Sequence, residues 1–326
     1  MFVIFFFLFI KVGFFAKFYK WFLYSTFIMR GKFGIFSIFM VFLLVAPIVC
    51  AQDVGVGLYV LNLGKFDVAT GSFTVDFYID FKCESNCSPD FEFLNGRAAS
   101  VDKIIDLPNE KFYRIQANLN SPVNLMGFPF DKQKMQIIIE DKRKQVDEIS
   151  FVPLEDESGM DDSIAFTGWN IDGVNIESKE HNYDIYGETY SQYVYSVNIS
   201  RIGINSFFKI FLPVIFIILI VVLTFVMDPD KIITRLTMTS SGLIAAVMFH
   251  ISMGNQIPPV GYLTVADKFM ILTYFVILVS VILNIVLLEL TELKKHDLVE
   301  KVHRATEYSM LIVVPILYIL FFIFFV

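Results

Sequence analysis

Two rhythms of apolar and polar residues divide the chain. Between residues 72 and 82 they alternate: Phe73, Val75, Phe77, Ile79 and Phe81 fall on one face, and Ser72, Thr74, Asp76, Asp80 and Lys82 on the other. A period of two over this length predicts a half-buried strand. The Thr70-Gly71 turn leads back to a second strand over 57–63, and residues 192–201 alternate again, with Tyr193, Tyr195, Val197 and Ile199 on one face. Turn-forming clusters punctuate the region at Ser88-Pro89-Asp90, Asn95-Gly96, Pro108-Asn109 and Ser121-Pro122. No helical period is sustained between residues 52 and 203, so this part reads as an all-β sandwich or barrel.

After residue 203 the rhythm changes to long apolar runs, at about 206–227, 233–254, 269–290 and 308–326. Each approaches the ~20 residues that a helix needs to cross the hydrocarbon core. The 291–304 link carries Lys294, Lys295, Lys301 and Arg304, and the 255–265 link carries no Lys or Arg. The basic link is therefore expected on the cytoplasmic side, which places residues 52–203 outside.

Charge sharpens this division. Residues 1–51 hold five Lys/Arg and no acid, 52–203 hold 25 Asp/Glu against 13 Lys/Arg, and 204–326 hold eight of each. With 56% hydrophobic residues, an ordinary soluble domain is excluded. Arg30 and Lys32 precede an apolar run over 33–49 that ends at Val49-Cys50-Ala51, the pattern of a signal peptide occupying 1–51. Residues 1–28 form another apolar stretch, broken by Lys11, Lys17 and Lys20; Met29 stands where translation would begin for an ordinary signal peptide, the alternative being an additional amphipathic or membrane segment. Of three cysteines, Cys50 is lost on such cleavage. Cys83 and Cys87 remain, open to a local disulfide in an exported segment or to two free thiols; no His lies nearby to make a metal site with them.

The second apolar run differs from the others. Thr237, Ser241, Ile244, Met248, Ile251 and Asn255 are spaced 4, 3, 4, 3 and 4 residues apart, which keeps them on one face of a helix of ~3.6 residues per turn. The stripe is hydroxylated in its cytoplasmic half and apolar above, with small Gly242, Ala245 and Ala246 beside it for close helix packing. A channel needs polar rings that replace lost hydration and an apolar constriction that closes by dewetting. The competing reading is that the hydroxyls bond back to their own helix.

Phe128-Pro129-Phe130-Asp131-Lys132-Gln133 resembles the signature loop of the Cys-loop receptors, the pentameric ligand-gated ion channels. The cysteines bracketing that loop in animal members fall at Ser121 and Met135, so the resemblance is to prokaryotic members, as is the short 291–304 link. The resemblance continues in family order: Ser88-Pro89-Asp90-Phe91-Glu92-Phe93 with the first binding loop, Gly168-Trp169 with the turn into the ninth strand, Ile199-Ser200-Arg201 before the first span, Leu212-Pro213 within it, and Ile257-Pro258-Pro259 after the pore helix. Two departures stand out. The segment between residue 82 and Pro89 is short, and the Glu that cation-selective relatives place just before the position of Arg235 is replaced by Ile233 and Thr234.

The resemblance implies an immunoglobulin-like extracellular sandwich over 52–203, a four-helix channel domain over 204–326, and a homopentamer in the plasma membrane. An agonist, a small molecule or an ion, would bind between subunits under a hairpin at about 177–192. Tyr183, Tyr186 and Tyr190 in that hairpin, Phe93, and Glu140 or Asp141 from a facing loop are the candidate contacts, since aromatic faces attract cations; strand-edge packing is the plainer reading of the tyrosines. Phe128, Pro129, Phe130 and Asp131, with Arg201 and Pro258, are the expected coupling residues, Asp131 pairing with Arg201 close to Pro258. Ile244 is the expected constriction, with Met248 and Ile251 above it. Asp228, Asp230 and Arg235 bear on selectivity: the resemblance turns the basic residue at the position of Arg235 away from the pore, and the −12 balance of the outer domain then favours monovalent cations over anions. The acidic run Glu155, Asp156, Glu157, Asp161 and Asp162 reads as a solvated loop before it reads as a Ca²⁺ site, and His250, off the stripe, reads as packing between helices before it reads as a proton sensor.

Two other classes fit less well. A non-conducting membrane-anchored sensor needs an output domain beyond the short basic link, and a transporter predicts repeated or broken spans with buried charges. No nucleophile or metal constellation points to an enzyme, and nothing points to a cofactor or a nucleic-acid partner.

Overall fold

The computed structural model describes residues 51–325; the expected signal peptide and the start at Met29 lie outside them. Ten strands come first: β1 (Gln52–Leu63), β2 (Ser72–Cys83), β3 (Phe91–Phe93), β4 (Gly96–Leu107), β5 (Glu110–Asn120), β6 (Lys132–Asp141), β7 (Ile149–Pro153), β8 (Gly159–Met160), β9 (Trp169–Tyr183) and β10 (Glu188–Arg201). Four long helices follow: α1 (Gly203–Leu223), α2 (Ile232–Gly254), α3 (Val265–Glu292) and α4 (His296–Phe325).

The strands form two sheets, β4-β5-β2-β1-β7 with β8 also on β1, and β3-β6-β10-β9. The alternation in β2 drives their packing. Phe73, Val75, Phe77, Ile79 and Phe81 are all buried, and they meet Tyr193, Tyr195, Val197 and Ile199 of β10 in one core. Burying a large apolar side chain contributes roughly 1.5–3 kcal/mol, so these two strands alone supply much of the force that closes the sandwich. The β1 strand starts at Gln52, five residues before the alternation in that strand is visible, because Gln52 to Val56 pair in parallel with Ile149 to Pro153. Tight approach at the turn into β2 requires Gly71, whose φ is +72° and whose added Cβ would sit 2.1 Å from the Ser121 carbonyl.

Each of the four helices is long and apolar enough to cross a membrane. A second core joins them, built on Phe211, Val214, Val221, Phe225, Ala246, Met270 and Ile277. Gly242 lets α2 approach α1 closely, since a Cβ there would lie 2.9 Å from Val221 Cγ2. Exposed Phe216, Leu219, Phe275, Leu278, Ile312 and Ile319 leave the bundle apolar where hydrocarbon would surround it. The fourth helix begins at His296 rather than near residue 308. The basic stretch expected as a link is mostly the first turns of α4, and only Leu293 to Lys295 join it to α3. Hydropathy marks where a helix is apolar, not where its hydrogen bonds begin, and residues such as Glu300, Lys301, Arg304 and Glu307 are good helix formers.

Candidate functional site

The candidate residues fall in three places: the β9–β10 hairpin, the junction of sandwich and helices, and one face of α2. The hairpin turn is short. Strand pairing runs to Tyr183 opposite Glu188, leaving Asp184 to Gly187 as the tip, with Ile185 and Tyr186 exposed. Tyr183 and Tyr190 meet edge to face, their ring centroids 5.7 Å apart, and His181 lies 4.4 Å from Tyr183. Glu140 is buried beneath them on β6, its Oε2 3.1 Å from His181 Nδ1 and accepting from Gln192 Nε2 at 3.3 Å. Burial pushes the Tyr183 and Tyr190 phenols above their ordinary range, helped by the negative fields of Glu140 and Glu92 on the first and of Glu188 and Glu140 on the second. Both rings therefore present neutral, electron-rich faces in a negative field.

Two residues expected here serve the fold. Phe93 packs edge to face on Phe77 and Phe91, at 6.0 Å from each, as part of the sandwich core. Asp141 folds a turn: its carboxylate accepts from the backbone N–H groups of Asp90, Arg143 and Lys144. A buried carboxylate in a loop takes nearby backbone donors first, because each unpaired buried donor costs ~1–3 kcal/mol. Sequence reasoning missed His181 and Gln192, which alternation alone marks only as outward-facing strand residues. Their pairing with Glu140 follows from the β10 register, which sets Gln192 opposite Glu140 on one side and Tyr190 opposite His181 on the other.

At the junction, Arg201 Nε donates to Asp131 Oδ1 at 2.7 Å and Arg201 Nη2 to Oδ2 at 3.2 Å. The Arg201 N–H also donates to the Asp131 carbonyl at 3.1 Å. Asp131 is buried, and the guanidinium is stacked between Trp169, 4.4 Å from the ring centroid, and Phe128, at 5.2 Å. Leu125 and Phe128 leave the sandwich to join the helical core, and Phe130 stacks on Phe211 of α1 at 5.7 Å. Within one chain this loop meets Tyr262, Val265 and Ala266, so its contacts fall beyond Pro258, which is half-exposed.

On α2, Thr237, Ser241, Ile244, Met248, Ile251 and Asn255 are all exposed, while Ile232, Arg235, Thr239, Gly242, Ala246 and Met253 are buried against the rest of the chain. The stripe thus faces away from its own bundle. Thr237 donates to the Ile233 carbonyl at 2.9 Å and Ser241 to the Thr237 carbonyl at 2.8 Å, so both hydroxyls bond back to the helix and still present their oxygens outward. At the cytoplasmic end Asp228 and Asp230 are exposed. Arg235 is not on that surface: it is fully buried, 4.8 Å from the Phe225 ring centroid and 3.4 Å from His303 Nδ1. Helix phase is the reason, because Arg235 falls two residues before Thr237 and about 200° around the helix from it.

Cys83 and Cys87 are joined in a disulfide, with Cα atoms 5.4 Å apart. In the acidic run, Glu157 pairs with Lys82 at 2.6 Å and Asp161 accepts from Ser163. Among the described residues no group of three or more His, Cys, Asp or Glu is placed to hold a metal.

Fold and membrane-crossing helices together define a class: a multi-pass membrane protein with an external amino-terminal β-sandwich, the architecture of the Cys-loop receptors. No family model matches the chain. The chain is similar to a proton-gated ion channel of Gloeobacter violaceus, 25% identical over 200 residues, which cover 60% of this chain and 55% of that protein. The chain thus spans just over half the length of the relative it matches, and the resemblance read from the motifs is to the same class of channel.

Proposed function

We propose that the chain is a subunit of a homopentameric ligand-gated ion channel, in which agonist binding at extracellular subunit interfaces opens a pore lined by α2. The observation that carries this reading is the outward stripe of α2. A membrane helix that turns hydroxyls and large apolar side chains away from its own bundle, and buries the opposite face, needs neighbours that complete a lining. The β4 edge strand supports assembly, because Val101, Ile104 and Leu107 stand exposed along it, and an uncovered apolar edge is a pairing surface. The agonist class follows from the hairpin. A buried Glu140 beside Tyr183 and Tyr190, with Glu92 and Glu188 adding negative field, favours a small cation, over which Tyr186 at the exposed tip would close.

The same charge logic favours permeant monovalent cations. Arg235 lies inside the bundle, so the charges left at the inner mouth are Asp228 and Asp230, offset by Lys231. The −12 balance of the sandwich concentrates cations at the outer entrance. The bilayer surrounds the helices; no catalytic step is assigned. Recording from purified protein in a planar bilayer tests the class: unitary currents support it, and a silent bilayer with folded, pentameric protein at all cationic ligands tried overturns it.

A further inference from the structure

One polar network in the helical domain belongs neither to the pore stripe nor to the hairpin. His250 sits on α2 between Met248 and Ile251 but turned from the stripe. Its Nδ1 is 2.9 Å from the Tyr274 hydroxyl and its Nε2 is 3.2 Å from Asp267 Oδ1, so both ring nitrogens are held by α3. Asp267 is itself locked. Its Oδ2 accepts from the Thr264 N–H at 2.9 Å and hydroxyl at 2.8 Å, and its own N–H donates to Thr264 Oγ1 at 3.1 Å. This capping box fixes the first turn of α3 as one rigid unit.

The other side of that turn is fastened to the sandwich. The first N–H groups of a helix lack partners within it. Here Val265 N–H donates to the Met126 carbonyl and Ala266 N–H to the Phe128 carbonyl, each at 3.1 Å. Just before the helix, the Tyr262 hydroxyl accepts from Leu125 N–H at 2.8 Å. A run of polar contacts therefore leads from the loop that holds Asp131, through the start of α3, to an imidazole on α2.

We propose that the first turn of α3 is the element that transmits displacement of the 124–131 loop to the pore helix, with Asp267 and His250 as its positioning residues. Moving the loop moves Val265 and Ala266, and with them the Asp267 carboxylate. Because the imidazole is gripped at both nitrogens, α2 follows at the level of Met248 and Ile251. The consequence for conduction rests on the pore reading above; the mechanical link does not.

Amide hydrogen exchange on the full chain in lipid nanodiscs tests the link without requiring current. Tyr262→Phe removes the acceptor for Leu125 N–H at the sandwich end. Exchange over residues 247–254 should then rise by about fivefold or more, a typical coupling between linked sites. With His250→Leu also present, Tyr262→Phe should leave exchange there unchanged, while His250→Gln, which keeps a donor and an acceptor, should restore the response. Asp267→Ser, too short to reach the imidazole, provides a second block should His250→Leu fail to assemble. An equal response with and without His250 overturns the proposal. Leak current in an Ile244→Ser background reads the functional consequence separately: absence of leak counts against the stripe as pore, and the exchange result still decides the relay.

Discussion

At the scale of single residues, Asp131 and Arg201 show how much rests on one contact. The carboxylate is fully buried and the guanidinium answers it with two donors while lying between Phe128 and Trp169. Removing one partner of a buried pair leaves the other charge uncompensated, at ~3–5 kcal/mol. Arg201→Ala should therefore abolish surface assembly or gating, and Arg201→Lys should rescue it only in part, since an ammonium has neither the planar fork nor the stacking face; surface labelling and current recordings check both. Asp80 gives a pH-dependent case. Burial holds its carboxyl above the ordinary range, against the weaker pull of Lys82, and its Oδ1 has no partner. The folded state thus binds this proton more tightly than the unfolded chain, so the contribution is fully present below the ordinary carboxylate range and is lost as pH rises through the raised value. Thermal unfolding should show Asp80→Asn stabilising at neutral pH, with the gain vanishing near pH 4.

At the scale of elements, α2 is held by one face and exposed on the other. Ile244 is the proposed constriction, and Ile244→Ser should wet it, giving leak current or activation at lower agonist; unchanged gating, together with a Cys at 244 that never reacts from the pore, would show the phase to be wrong. The buried face is equally constrained. A Cβ at Gly242 meets Val221 at 2.9 Å, and overpacking costs ~1–3 kcal/mol. Gly242→Val should lower the yield of assembled protein, measured by size-exclusion chromatography, and Val221→Ala should recover part of it.

At the scale of the whole molecule, charge is uneven along the membrane normal, with an acidic sandwich outside and the Lys294-Lys295 pair of the α3–α4 link inside. In a NaCl gradient the reversal potential should move toward the sodium equilibrium value; a move toward that of chloride would overturn the cation assignment. Asp228→Asn with Asp230→Asn should reduce cation conductance, and the change should shrink as salt rises, because screening acts over ~8–10 Å at physiological ionic strength.

The chain by itself determined its two-part architecture, since both periods are local. Alternation over 72–82 already names the buried face of β2, alternation over 192–201 names the side of β10 that joins the core although Gln192, Val194 and Ser196 on the other side are buried too, and four runs of membrane-spanning length already name the helices. The spacing of the α2 stripe is legible for the same reason: helical phase is arithmetic on one segment. What only the tertiary structure decided depends on partners distant in sequence. Phe93 is core because β3 lays it against Phe77, and Asp141 is a turn staple because Asp90 lies across from it. Glu140 meets His181 and Gln192 because the β6–β10–β9 register brings them together. Arg235 is buried because Phe225 and His303 come from the turn after α1 and from α4 to enclose it. Periodicity shows which way a side chain points from its own element, and packing alone decides what it meets there.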